Sequence, residues 1–128
     1  MKRGSKSVSL TGLFAALADT TRLRLLNLMA GREVCVCHFV EILGQSQPKI
    51  SRHLAYLRNA GIVAARREGK WMHYSIRTHA DATASAVLAA ALTALDSDKL
   101  MQADQARLTR ACCAGDAFKG KIQLLQKG

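Results

Sequence analysis

Apolar residues recur along the first sixty or so positions at the three- and four-residue steps of an amphipathic helix, switch to a two-residue step, and then return to a helical period. Leu10, Leu13, Phe14 and Leu17 share one face, which predicts a helix over about Ser9 to Ala18. Asp19 fits an N-cap, because its carboxylate can accept a hydrogen bond from an otherwise unpaired first-turn N–H. Leu23, Leu26 and Met29 are the stripe of the second helix that follows, Thr20 to Met29, which ends before Gly31. A short third helix is expected around Cys37 to Leu43, closed by Gly44 in the left-handed conformation. Ser46 then caps a fourth helix, with Pro48 in the first turn where a missing donor costs little and Ile50, Leu54 and Leu57 as the buried stripe. After Gly61 the run Ile62 to Arg67 has strand composition, Glu68-Gly69-Lys70 turns the chain, and Trp71 to Ile76 alternates apolar with polar residues, a β-hairpin. From about Asp81 an alanine-rich stretch carrying Val87, Leu88, Ala91, Leu92 and Leu95 predicts one long helix.

That order of elements is mainly α with a small β-hairpin: a winged helix-turn-helix, with the helix after Ser46 as the recognition helix and the hairpin as the wing. A chain of 128 residues has room for one such domain. We expect residues 1–110 to form it and 111–128 to be a flexible, basic, cysteine-containing tail. The apolar faces of the terminal helices, about 9–30 and 80–108, exceed what one chain can cover, which predicts a homodimer through those helices and a matching two-fold operator, an imperfect palindrome. A formal net charge of +10 favours an anionic partner. Ser46, Gln47, Lys49, Ser51, Arg52 and His53 cluster at the end of the recognition helix that would enter a groove of double-stranded DNA. Arg66, Arg67 and Lys70 near the wing tip suit phosphates or a minor groove. No uninterrupted apolar run reaches membrane-spanning length and the N-terminus has no apolar signal core, so a cytoplasmic protein with no membrane partner is expected.

The four cysteines stand as Cys35-Val36-Cys37 and as the adjacent pair Cys112-Cys113, which is not the regular framework of a small secreted disulfide domain. In a reducing compartment they are thiols, and soft thiolates select soft, thiophilic ions. Placed at the start of the third helix, Cys35 and Cys37 would have their thiolates favoured by the helix dipole. With no Cys-x-x-Cys, no Gly-rich phosphate loop and no Gly-x-Ser-x-Gly, the sequence offers no catalytic constellation, and no enzyme is expected.

Four segments carry a family resemblance: Ala18-Asp19-Thr20-Thr21-Arg22-Leu23, Glu33-Val34-Cys35-Val36-Cys37, Gln45 to Arg58, and Gly69-Lys70-Trp71-Met72-His73-Tyr74. Over roughly residues 9 to 78 the chain resembles the arsenic-responsive repressors of the ArsR/SmtB family. The resemblance implies a homodimeric repressor that needs no cofactor to sit on its operator and releases it when As(III) or Sb(III) binds to cysteine thiolates. The motif in such sensors reads Cys-Val-Cys-Asp-Leu-Cys, whereas here Val40 stands where the third thiol would be. Cys112 or Cys113, from the same or the partner subunit, could supply the missing sulfur; alternatively Cys112-Cys113 forms a separate dithiol site suited to a methylated arsenical. His38 is a further candidate ligand, which with Cys35, Cys37 and one more donor could close a zinc tetrahedron. The last-helix Asp, His and Glu ligands of zinc-sensing relatives have no counterpart, His79 and Asp81 being in reversed order. A redox or persulfide sensor and a Cd or Zn sensor would use the same fold and cysteines. An architectural DNA or RNA binder would ignore thiophiles. An arsenate-reductase-like thiol enzyme would need an anion-cradling loop that Val36, His38 and Phe39 do not provide.

Overall fold

A computed structural model describes residues 8–77 and 82–119, the last eight of these as backbone alone. Its elements run α1 (Leu10–Leu17), α2 (Thr20–Leu28), β1 (Val34–Cys35), α3 (Val36–Leu43), α4 (Gln47–Asn59), β2 (Val63–Glu68), β3 (Trp71–Ile76), α5 (Ala82–Leu95) and α6 (Lys99–Lys119). Local chemistry sets most of these bounds. Ser9 accepts from the Gly12 N–H, Asp19 from the Arg22 N–H at 3.0 Å, and Ser46 from the Lys49 N–H at 3.4 Å, each closing an N-terminal turn. Gly44 ends α3 at φ 66°, a left-handed backbone that a Cβ would strain, and this sharp exit sets α4 across α3.

The apolar stripes meet in one core. Leu13 and Ala16 of α1, Leu25, Leu26 and Leu28 of α2, and Phe39 of α3 are fully buried together with Ile50, Leu54 and Leu57 of α4. Ile62 and Val63 carry this core into the sheet. At roughly 1.5–3 kcal/mol for each fully buried large aliphatic or aromatic side chain, it is the dominant stabilising contribution. Residues 62–76 form the expected hairpin, but the sheet has three strands in the order β1-β3-β2, all antiparallel. Val34 pairs with Tyr74 and Cys35 with His73, while Arg66 faces His73 from the other side. The short strand β1 therefore ties the thiol segment to the wing.

Two expectations change in the C-terminal third. The single long helix is broken at residues 96–98, where the Asp98 carboxylate accepts from the N–H groups of Leu100 and Met101 and starts α6 afresh. The boundary expected at residue 110 falls inside α6, whose backbone stays helical to Lys119 and so carries Cys112 and Cys113. Residues 120–128, His79 and Asp81 lie outside the described residues. α6 is fixed to α2 by a buried pair: Asp104, fully buried, accepts from Arg24 Nε and Nη2 at 2.8 and 3.0 Å. Asn27 donates to the Met101 carbonyl and Gln105 to the Asn27 carbonyl, which satisfies the polar groups around that seam. Among the described residues no helix is long and apolar enough to cross a membrane.

Candidate nucleic-acid interface and thiol site

α3, the Gly44 turn and α4 form the helix-turn-helix, and α4 presents its first turns outward because Ile50, Leu54 and Leu57 hold its other face in the core. Ser46, Gln47, Lys49 and Arg52 are exposed and Ser51 is half-buried. Ser46 spends its hydroxyl on the cap, so it fixes the start of α4 as well as lying at the surface. Arg67 and Lys70 are exposed at the wing tip, with Arg67 donating to the Gly69 carbonyl at 3.5 Å. Two of the basic residues expected at the interface are engaged elsewhere. His53 is half-buried, with Nδ1 3.5 Å from Arg22 Nη1 and 3.8 Å from the Asp19 carboxylate. Arg66 makes a two-pronged contact with Glu33, at 2.6 and 2.9 Å, and reaches Glu68 at 3.1 Å. The Arg66 guanidinium holds the Glu33 carboxyl below its ordinary range, and the two carboxylates hold Arg66 firmly protonated. This is an exposed network whose positive charge is largely cancelled.

Arg22 was not singled out by sequence and proves central to the placement of α4. Its guanidinium donates to the carbonyls of Ala15 and Ala16, at 3.1 and 2.9 Å, in the last turn of α1 where carbonyls lack a full set of intrahelical donors. The same group lies 4.1 Å over the Tyr56 ring of α4, a cation–π contact that joins the end of α1 to the middle of the recognition helix. A helix-capping arginine is invisible to a periodicity argument because its partners are distant backbone oxygens.

The Cys35-Val36-Cys37 segment straddles the junction of β1 and α3, with Cys35 as the N-cap of α3. The Cys37 thiol donates to the Cys35 sulfur, with the two Sγ atoms 3.1 Å apart. Cys35 is half-buried and Cys37 exposed. The expectation that the helix dipole would favour thiolate is reversed at Cys37. Desolvation, followed by the hydrogen bond and charge of Cys35, pushes its thiol up to about 11, outweighing the opposing pull of the Cys37 and His38 backbone N–H groups. Among the described residues no third His, Cys, Asp or Glu joins the pair to form a metal-binding group. The side chains of Cys112 and Cys113 lie outside the described residues, and Val40 sits one turn past Cys37.

The helix-turn-helix has relatives. A family of bacterial regulatory proteins, the arsR family, matches residues 19–65. The arsenical resistance operon repressor of Escherichia coli (strain K12) is 42% identical over 106 residues, covering 82% of this chain and 89% of that protein. The chain belongs to the arsR family. As a member it is a DNA-binding transcriptional repressor and not an enzyme. Arsenic resistance transcriptional regulator ArsR1 of Pseudomonas putida is 52% identical over 65 residues, half of this chain and 51% of that protein. Among solved structures, the homodimeric winged helix-turn-helix DNA-binding domain of a Mycobacterium bovis protein superposes with TM-score 0.57 at 30% identity, over 68% of this chain and 78% of that one. Membership in the arsR family accounts for the order of elements from α1 to the wing.

Proposed function

We propose that this repressor sits as a homodimer on an imperfectly palindromic operator and releases it when As(III) or Sb(III) is taken by Cys35 and Cys37. The observation that carries the reading is the 3.1 Å separation of the two sulfurs. The two sulfurs lie close enough for one thiophilic ion to bridge them, and soft thiolates favour such an ion. A disulfide between residues one apart is strained, which argues against a redox switch within the pair.

Gln47, Lys49, Ser51 and Arg52 meet the operator in the major groove, with Ser46 fixing the helix start and Arg67 and Lys70 along the backbone; Arg66 and His53 contribute mainly by positioning. The exposed Leu10 and Phe14 of α1, each about half accessible, together with α5, supply the apolar surface for the two-fold partner. Cys112 or Cys113 closes the inorganic site with a third sulfur. The half-buried Cys35 is paired with β3 and Cys37 lies in the first turn of α3, so drawing the bound ion toward a distant third sulfur shifts the helix that, through Gly44, carries α4. A coupling of about 1–3 kcal/mol suffices, and linkage requires operator DNA to weaken ion binding by the same factor. Arsenite affinity measured with and without operator tests this; equal values in the two cases would reject the coupling.

A further inference from the structure

At the start of α2, the side chains of Asp19, Thr21 and Arg22 all reach the recognition helix or the turn that leads into it. The Asp19 carboxylate stands 3.8 Å from His53 Nδ1, and the Thr21 hydroxyl accepts from Gln45 Nε2 at 3.2 Å. Arg22 makes the most directed of these contacts, with Cζ 4.1 Å from the centre of the Tyr56 ring. From behind, the same guanidinium is held by the Ala15 and Ala16 carbonyls of α1, while the Arg22 backbone N–H is taken by Asp19. Tyr56 is itself exposed, so its ring is not fixed there by the core.

α1 also carries the exposed Leu10 and Phe14, the apolar face assigned above to the two-fold partner. A line of contacts therefore runs from that face along α1 to its last turn, through Arg22, to Tyr56 on α4. Ile50, Leu54 and Leu57 hold α4 to the core, but apolar burial is non-directional. A planar guanidinium fork seated on two carbonyls has a set direction. Tyr56 lies one turn beyond Arg52 on the same face of α4 and about 14 Å along the axis from Gln47. A tilt of about 10° at Tyr56 swings Gln47 by about 2 Å, more than a hydrogen bond tolerates. We infer that Arg22 is a positioning residue that sets which half-site spacing the dimer accepts: by clamping the Tyr56 ring to the end of α1, it fixes each recognition helix relative to the two-fold axis. This rests on the homodimer reading with α1 at that axis. Each base pair added between half-sites shifts one of them by about 3.4 Å and turns it by about 34°. For the recognition helices to follow even part of that change, α4 must pivot on its core contacts and the Arg22–Tyr56 contact must open. At the correct spacing the contact is intact in both free and bound protein, so it contributes discrimination between spacings rather than affinity.

The test uses a palindromic duplex selected from a random pool with the full wild-type chain, and the same duplex with one or two base pairs inserted at its centre, each titrated by fluorescence anisotropy. Wild type is expected to lose about 100-fold in affinity on one insertion, because both half-sites can no longer be engaged together. Tyr56→Leu should keep near-wild-type affinity at the selected spacing and lose about threefold to tenfold less on insertion, the range that one cation–π contact contributes. Tyr56→Phe, which keeps the ring, should behave as wild type. Adding Tyr56→Leu to Arg22→Met should relax the spacing no further than Arg22→Met alone. A Tyr56→Leu protein with the insertion penalty of wild type, or a Tyr56→Phe protein as relaxed as Tyr56→Leu, would overturn the role of Arg22 and leave the homodimer reading standing. Wild-type affinity indifferent to insertion would overturn the homodimer reading and the role of Arg22 with it.

Discussion

The α2–α6 seam and the β1–wing junction both rest on an arginine gripping a carboxylate with two nitrogens, yet they do opposite work. At the seam, Asp104 is wholly buried and Arg24 half-buried, and Asn27 and Gln105 satisfy the surrounding carbonyls. Its partner raises the Arg24 pKa chiefly through that hydrogen bond, so the guanidinium stays charged at the seam. At the junction, Arg66 and Glu33 are bound as closely but stand in solvent, two residues before Cys35. Similar geometry at different burial separates a fixed scaffold from a segment that can move when a ligand asks it to. A sensing element belongs at the low-stability end of the structure.

Breaking the buried member should have the largest effect. Asp104→Ala strands Arg24 against the core and is expected to cost about 3–5 kcal/mol, read as a fall in the urea midpoint. Glu33→Ala, removing the exposed counterpart, should leave that midpoint nearly unmoved; a comparable loss from both would erase the distinction. Next comes DNA: Arg52→Ala and Lys70→Ala should each weaken operator binding and lower the salt slope by about 0.9 per lost phosphate contact. Arg66→Ala should lower it less than Arg67→Ala, because Glu33 and Glu68 already cancel Arg66. Glu33→Ala should raise DNA affinity by releasing that charge, and equal slopes for the two arginine variants would show Arg66 to be an ordinary phosphate contact.

The smallest effect is a titration at the thiols. Alkylation of Cys37 in the ligand-free protein should rise with pH toward about 11, and Cys35→Ser should move the profile to lower pH by removing the neighbour that helps hold the proton. Because the folded-state pKa is raised, the fold favours the protonated thiol. Its contribution to stability is complete below the ordinary thiol range and is lost as pH rises through about 11. A profile centred in the ordinary range, unchanged by Cys35→Ser, would contradict that environment.

What could be read from sequence was what local chemistry decides. The caps at Asp19 and Ser46, the Gly44 stop, the stripes of α1, α2 and α4 and the hairpin turn at Gly69 depend on residues within a turn of one another. The two-residue strand β1 has no periodicity and exists only because Tyr74 and His73 pair with it from forty positions away. Asp98 is a cap signal hidden in a run that otherwise stays helical, and so α5 and α6 merge into one helix when stripes alone are followed. In the candidate site, both cysteines were identifiable by type and spacing. The elevated Cys37 thiol was not, because helix position suggests the opposite sign and only the packed neighbourhood, with Cys35 at 3.1 Å, decides it. Nor could charge alone tell Arg66 from Arg67: one meets Glu33 across the sheet and Glu68 on its own strand, the other a loop carbonyl.

The central claim is that Cys35 and Cys37 convert a thiophilic ion into release of DNA. Fluorescence anisotropy of an operator fragment, in reducing buffer, with arsenite and then zinc added to wild type and to Cys35→Ser, tests it most directly. The account predicts release by arsenite from wild type, little effect of zinc, and a Cys35→Ser protein that binds the operator and stays bound. Specific binding that arsenite leaves untouched in wild type, or releases equally in Cys35→Ser, would contradict it.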